Sequence, residues 1–191
     1  DCVGELLSSD ALEVSVVDER PSGQTACAAG ERLRVSVRYT PSLAGVATLA
    51  HEIGHAVHRL LLQRATGAPR GRPPAALGEF GSLLLEASVT VELLDSTTPT
   101  AVPPAETLDY TLAARTNTLH RHATFADFER RCYQSSTALS PMTLDDAYTA
   151  AANRCLPPVS LRPEHATKWT TLDRLYERYA TTRYTLGTVF A

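Results

Sequence analysis

At 191 residues the chain can bury one real core, and its 43% hydrophobic content is ordinary for a globular protein. A net charge of -3 removes the electrostatic case for nucleic acid or an anionic membrane surface. No apolar run approaches the roughly 18 residues that span a bilayer, and the excess of arginine over Lys168, the sole lysine, carries no functional reading.

The chain opens at Asp1-Cys2-Val3-Gly4, with neither an initiator methionine nor a signal-peptide pattern. The expectation is a start after processing, after a further segment, or inside a larger protein. Residues 12–17 alternate, Leu12, Val14 and Val16 against Glu13 and Ser15, and predict a half-buried strand. Residues 18–32 read as a turn-rich connection. Residues 33–39 alternate more cleanly, with Leu33, Val35, Val37 and Tyr39 on one face and Arg34, Ser36 and Arg38 on the other. Pro41-Ser42 then signals the start of a helix over about 43–66.

Glycine and proline exclude regular structure from residues 67–75. A second helix is expected over about 76–95, around Leu83-Leu84-Leu85, followed by a loop at 96–104. Helices are expected at about 105–121 and 123–138, and at 143–154 with Thr143 and Asp146 as a capping-box variant. Pro157-Pro158 break the chain again, and a last helix is expected over about 168–187. The cysteines Cys2, Cys27, Cys132 and Cys155 show no C-x-x-C spacing and read as thiols of a reducing compartment, a Cys132–Cys155 bridge being the alternative. The expected fold is one domain over 1–191, mainly α, with a small N-terminal β-sheet or hairpin beside the 43–66 helix.

That helix carries the chemistry. His51-Glu52-Ile53-Gly54-His55 is an instance of H-E-x-x-H. Residues four apart share a helix face, so His51 and His55 can aim imidazoles at one ion, and Glu52 can reach a water beside it. One Zn²⁺ suits two imidazoles and a third protein ligand, with a position left for water. The next helix offers Glu79, Glu86 and Glu92 as the third ligand. Glu86 follows three leucines, where a carboxylate is costly unless paired, and is favoured. Glu79, seven residues earlier and on the same face, is the alternative and reads more readily as a solvated first-turn residue. Glu92 and His58 are candidates to orient a ligand imidazole. His120, His122 and His165 read as surface histidines.

The stretch from Val37-Arg38-Tyr39-Thr40 through Thr48-Leu49-Ala50-His51-Glu52-Ile53-Gly54-His55-Ala56-Val57-His58 resembles the strand–loop–helix of oligoendopeptidase F and its thimet oligopeptidase relatives. Glu86-Ala87-Ser88 is similar to that family's segment bearing the third ligand. Arg121 to Glu129, Met142-Thr143-Leu144, and Trp169 to Gly187 resemble its downstream helical and C-terminal aromatic regions. The resemblance implies a zincin-like helical catalytic domain corresponding to the C-terminal part of such enzymes, without their N-terminal half. It implies zinc on His51, His55 and Glu86, Glu52 as general base, short peptides as substrates, and the 33–39 strand as an edge for an extended substrate. The family's transition-state histidine aligns with Arg174, and Tyr176, Tyr179 and Tyr184 are the nearby hydroxyl donors.

Two functions follow. The first is a zinc-dependent metalloendopeptidase. The second is a peptidase-derived accessory subunit that binds zinc with little activity. In either case the expected partner is another polypeptide chain supplying or replacing the absent half, and the expected compartment is intracellular, cytoplasm or mitochondrial matrix.

Overall fold

The computed structural model describes residues 12–17, 24–27, 33–67, 77–95, 102–156, 161–172 and 180–190, with Gly4, Ser8, Asp10 and Pro74 besides. Three short strands begin the described chain: β1 (Leu12–Val16), β2 (Gln24–Cys27) and β3 (Leu33–Val37). They form one sheet in the order β1–β3–β2, with β1 parallel and β2 antiparallel to β3. The alternation read at 33–39 is borne out over β3, where Leu33, Val35 and Val37 are buried while Arg34 is exposed. β1 is shallower: its Val14 and Val16 stay 45% and 64% exposed, although they pair with the buried Val35 and Val37 of β3.

Two expectations for this region are corrected. The stretch 18–32 is not only a connection, since Gln24–Cys27 pairs with β3 from Cys27↔Leu33 to Gln24↔Ser36. Four residues without a hydrophobic alternation carry no strand signal, so the pairing rests on what β3 offers beside them. As a consequence β3 is central, with a partner on each side. Over residues 33–36 it cannot serve as the substrate edge, because it is paired there on both sides; among the described strands the edges are β1 and β2.

The helix α1 (Leu43–Thr66) follows, close to its expected bounds. Ser42 caps it by accepting from the Gly45 N–H, and Gly67 ends it in the left-handed conformation at φ 67° with its N–H on the Gln63 carbonyl. Its Ala56, Val57 and Leu60 pack on Leu33 and Val35, with Leu12 and Ile53 at the margin, and so fasten α1 to the sheet. Burial of each large side chain there contributes about 1.5–3 kcal/mol.

The remaining helices form a second layer of packing. They are α2 (Phe80–Leu94), α3 (Pro104–Gln134), α4 (Pro141–Cys155), a 3₁₀ stretch (Pro163–Thr171) and α5 (Thr182–Phe190). The two helices expected over 105–138 are one 31-residue helix. No glycine or proline interrupts it, and the polar residues at the supposed break bond back along it, His122 Nδ1 to the Thr118 carbonyl and Thr124 Oγ1 to that of His120. Ser140 rather than Thr143 caps α4, accepting from the Thr143 N–H, with Pro141 at the first helical position. The final helix expected over 168–187 is instead a 3₁₀ stretch and a separate α5, and residues 173–179 lie outside the described set. Phe125, Phe128, Tyr148 and Ala151 make the second core, sealed by Trp169, whose indole N–H donates to Asp145. Cys132 and Cys155 are free thiols, so the alternative bridge is not formed.

Candidate metal centre

The site forms where α2 crosses α1. Gly54, inside the histidine motif, is buried, and a Cβ there would come within 2.5 Å of the Ser82 Cα and 2.6 Å of the Gly81 carbonyl oxygen. Gly81 meets α1 in return, since a Cβ on it would stand 2.6 Å from that of His58. Three small residues therefore let the two backbones touch, and this contact carries the start of α2 beneath the histidine pair.

Glu79 occupies that start and is 4% exposed. Its Oε2 lies 3.4 Å from His51 Nε2 and 3.2 Å from His55 Nε2. The three donor atoms fall within 4.8 Å of one another and form a group that can hold a metal ion. Ser82 steadies the turn by donating to the Glu79 carbonyl at 2.8 Å. A tetrahedral zinc with ligands at about 2.0–2.1 Å would have its ligand atoms about 3.3 Å apart. The two carboxylate–imidazole distances, 3.4 and 3.2 Å, fit that spacing.

Glu86 stands elsewhere. Its Oε2 faces the other nitrogen of His51, 3.4 Å from Nδ1. An Nδ1–H shared with Glu86 leaves the Nε2 lone pair directed at Glu79's side of the ring. The third member of the donor group that the structure brings together is Glu79, whereas the sequence favours Glu86. Its apolar setting does need a partner, as its position after three leucines suggests, but the partner is an imidazole. Beyond it lies a small groove lined by Leu43, Val46, Ala47, Val89 and Tyr110. Burial, together with the charge of Glu86, raises the Tyr110 hydroxyl above its usual range.

The electrostatics agree with a site built for positive charge. Burial alone would depress the His51 pKa, but hydrogen bonds and charge from Glu79 and Glu86 outweigh it and raise the value to about 9. Burial likewise opposes ionisation of Glu79, and contacts with His51 and His55 overcome it, holding that carboxyl well below its usual range. His51 and His55 themselves meet edge to face, ring centres 4.8 Å apart.

The other expected residues are distributed as follows. Glu52 is half-buried beside His51 on α1. His58 packs on Gly81 with its Nδ1 buried and lacking a hydrogen-bond partner, and burial, then the charge of His55, lowers its pKa. Glu92 is exposed six residues beyond Glu86 and stands outside the donor group. Tyr184, on α5, stacks on His122 with centres 4.6 Å apart. Arg174, Tyr176 and Tyr179 lie outside the described residues.

His120 and His122 are not the surface residues their polar neighbours suggest. Both are half-buried, and His120 Nδ1 is 2.5 Å from the Cys155 carbonyl. Arg183, also on α5, was not singled out by any motif, and its Nε is 3.2 Å from Glu79 Oε1. A signal for Glu79 was present in the small residues Gly81 and Ser82 opposite Gly54. For Arg183 there was none, because it meets the site from 104 positions away in the chain.

No helix among the described residues is long and apolar enough to cross a membrane. No curated protein and no solved structure matches the chain. The sequence pattern of peptidase family M3 matches residues 38–185, a span that starts just after β3, contains His51, His55 and Glu79, and ends in α5. A metallopeptidase family thus coincides with a His-His-Glu donor group over most of the chain, and the chain belongs to peptidase family M3.

Proposed function

We propose that this chain is a zinc-dependent metalloendopeptidase for short peptides, with His51, His55 and Glu79 as ligands and Glu52 as general base. The observation that carries the reading is the approach of Glu79 Oε2 to both imidazole Nε2 atoms, 3.4 and 3.2 Å away. Two histidines and a glutamate form a donor set used by catalytic zinc, which needs three protein ligands and an open position. Zinc held there would polarise a scissile carbonyl and make a water easier to deprotonate near neutral pH.

The chain's own residues supply the rest. Glu86 holds the His51 ring through Nδ1 and keeps Nε2 available. Glu52 takes a proton from the attacking water on its carboxylate and returns it to the leaving amine. Oxyanion support comes from the C-terminal segment, from Tyr184 in α5 or from Arg174, Tyr176 and Tyr179 before it. An arginine in that role contributes a fixed charge rather than a tunable proton donor.

The test is Glu52→Gln. It keeps the side chain's shape and the metal but removes the base. The expected result is an unchanged zinc content and a fall in hydrolysis of an internally quenched peptide by about 10²–10⁴-fold. Full turnover by this variant would overturn the mechanism.

A further inference from the structure

Glu79 has two oxygens, and only one faces the histidines. Oε2 lies within 3.4 Å of both Nε2 atoms, while Oε1 is 3.2 Å from Nε of Arg183. Arg183 comes from α5 and is largely enclosed, its side chain 23% exposed. Its Nε is buried and has no hydrogen-bond partner among the described residues. The contact is therefore an ion pair by distance rather than a hydrogen bond.

The approach of α5 is built into the fold. Gly187, one turn beyond Arg183, lies against Glu79 itself. A Cβ there would be 3.2 Å from the Glu79 Cβ and 2.7 Å from Leu83 Cδ1. A larger residue would push α5, and Arg183 with it, away from the carboxylate.

We propose that Arg183 is a positioning residue for the third metal ligand, engaging Oε1 of Glu79 so that the carboxylate meets the ion through Oε2 alone. The inference rests on His51, His55 and Glu79 being the metal site. A carboxylate with both oxygens free can chelate an ion in two-point fashion and raise its coordination number. Occupying one oxygen leaves single-point ligation, the form that a four-coordinate zinc site with an open position requires. The guanidinium suits this task because it stays charged at any working pH, so the ion pair with Oε1 is permanent. Arg183 also offsets the charge of one of the two carboxylates, Glu79 and Glu86, that approach His51.

Charge and positioning predict opposite signs. A bare positive charge near a dication weakens binding, so its removal should tighten it. A positioning residue strengthens binding, so its removal should loosen it. The experiment titrates the 191-residue chain and its Arg183→Met and Arg183→Lys variants with Co²⁺ against a competing chelator, recording the visible absorption of the bound ion. Expected for Arg183→Met is a loss of affinity of about 10–100-fold. Its absorption should also weaken towards that of a five-coordinate ion, with part of both restored in Arg183→Lys. Binding by Arg183→Met that is equal to or tighter than wild type, with an unchanged spectrum, would overturn the proposal. If Arg183→Met does not fold by circular dichroism, Arg183→Gln replaces it with the same two outcomes.

His55→Ala separates the two levels. Should it bind Co²⁺ as wild type does, or should wild type bind none, the donor group is wrong and the inference falls with it. If His55→Ala loses binding while the Arg183 variants match wild type, only the role of Arg183 fails.

Discussion

Glu79 and Glu86 approach His51 on opposite nitrogens, Nε2 and Nδ1, and so predict different losses. Glu79→Ala removes a donor atom from the group itself and is expected to abolish measurable zinc retention through gel filtration. Glu86→Ala removes only the group that orients His51, and its expected cost is about 10–100-fold in affinity. Chelator competition on the two variants ranks them. A larger loss from Glu86→Ala than from Glu79→Ala would return Glu86 to the role of ligand. The sequence favours Glu86 on a sound premise, namely that a carboxylate among leucines needs a partner. What it lacked was the partner's identity, which depends on how far α2 is rotated about its axis.

At the scale of elements, two contacts decide the geometry. The first is the crossing of α1 and α2 at Gly54, Gly81 and Ser82. Gly54→Ala places a methyl 2.5 Å from the Ser82 Cα, which is backbone and cannot rotate away. The expected cost is about 1–3 kcal/mol of stability together with weakened metal binding, because Glu79 moves with α2. Urea denaturation of the metal-loaded and chelator-treated variant separates the two effects; an unchanged midpoint and unchanged affinity would contradict the close crossing.

The second contact joins α3 to α4 through Asp127, which accepts from Arg130 at 2.7 Å, from Arg131 at 3.2 Å and from Arg154 across the helix pair. Burial would raise the Asp127 pKa, but these three guanidinium groups outweigh it and lower the pKa below the usual value. A carboxyl whose folded pKa is depressed adds stability above its unfolded value, near 3.8, and loses it as the pH falls through the folded value. Asp127→Asn is therefore expected to cost about 1 kcal/mol at neutral pH and progressively less as the pH falls below 3.8. Thermal melts across that range test it, and a constant difference at all pH values would rule out the ionic contribution.

On the scale of the whole molecule, the donor group links the two halves of the packing. His51 and His55 lie on the helix fastened to the sheet, Glu79 on the next helix, and Arg183 near the chain's end. An ion bound there holds α1 against α2, and binding to the folded state alone raises stability by about 2.7 kcal/mol at 100 times the dissociation constant. Chelation should lower the melting temperature by several degrees, and added zinc should restore it. An identical melt with and without chelator would mean that the group does not retain an ion.

What the sequence determined by itself is what depends on neighbours in the chain. Helical spacing puts His51 and His55 on one face. The alternation of Leu33, Val35 and Val37 makes a buried strand. Ser42 and Gly67 are a helix start and a stop, and each of these works through bonds and contacts within a few residues. The four residues of β2, the unbroken α3 and the partition of roles between Glu79 and Glu86 were decided by the tertiary structure. β2 exists because β3 offers it a ladder. Glu79 joins the histidines because three small residues let two helices touch. Arg183 reaches the same carboxylate because Gly187 leaves room for α5. Separation along the chain carries no information about such meetings, and only the packed backbone brings them about.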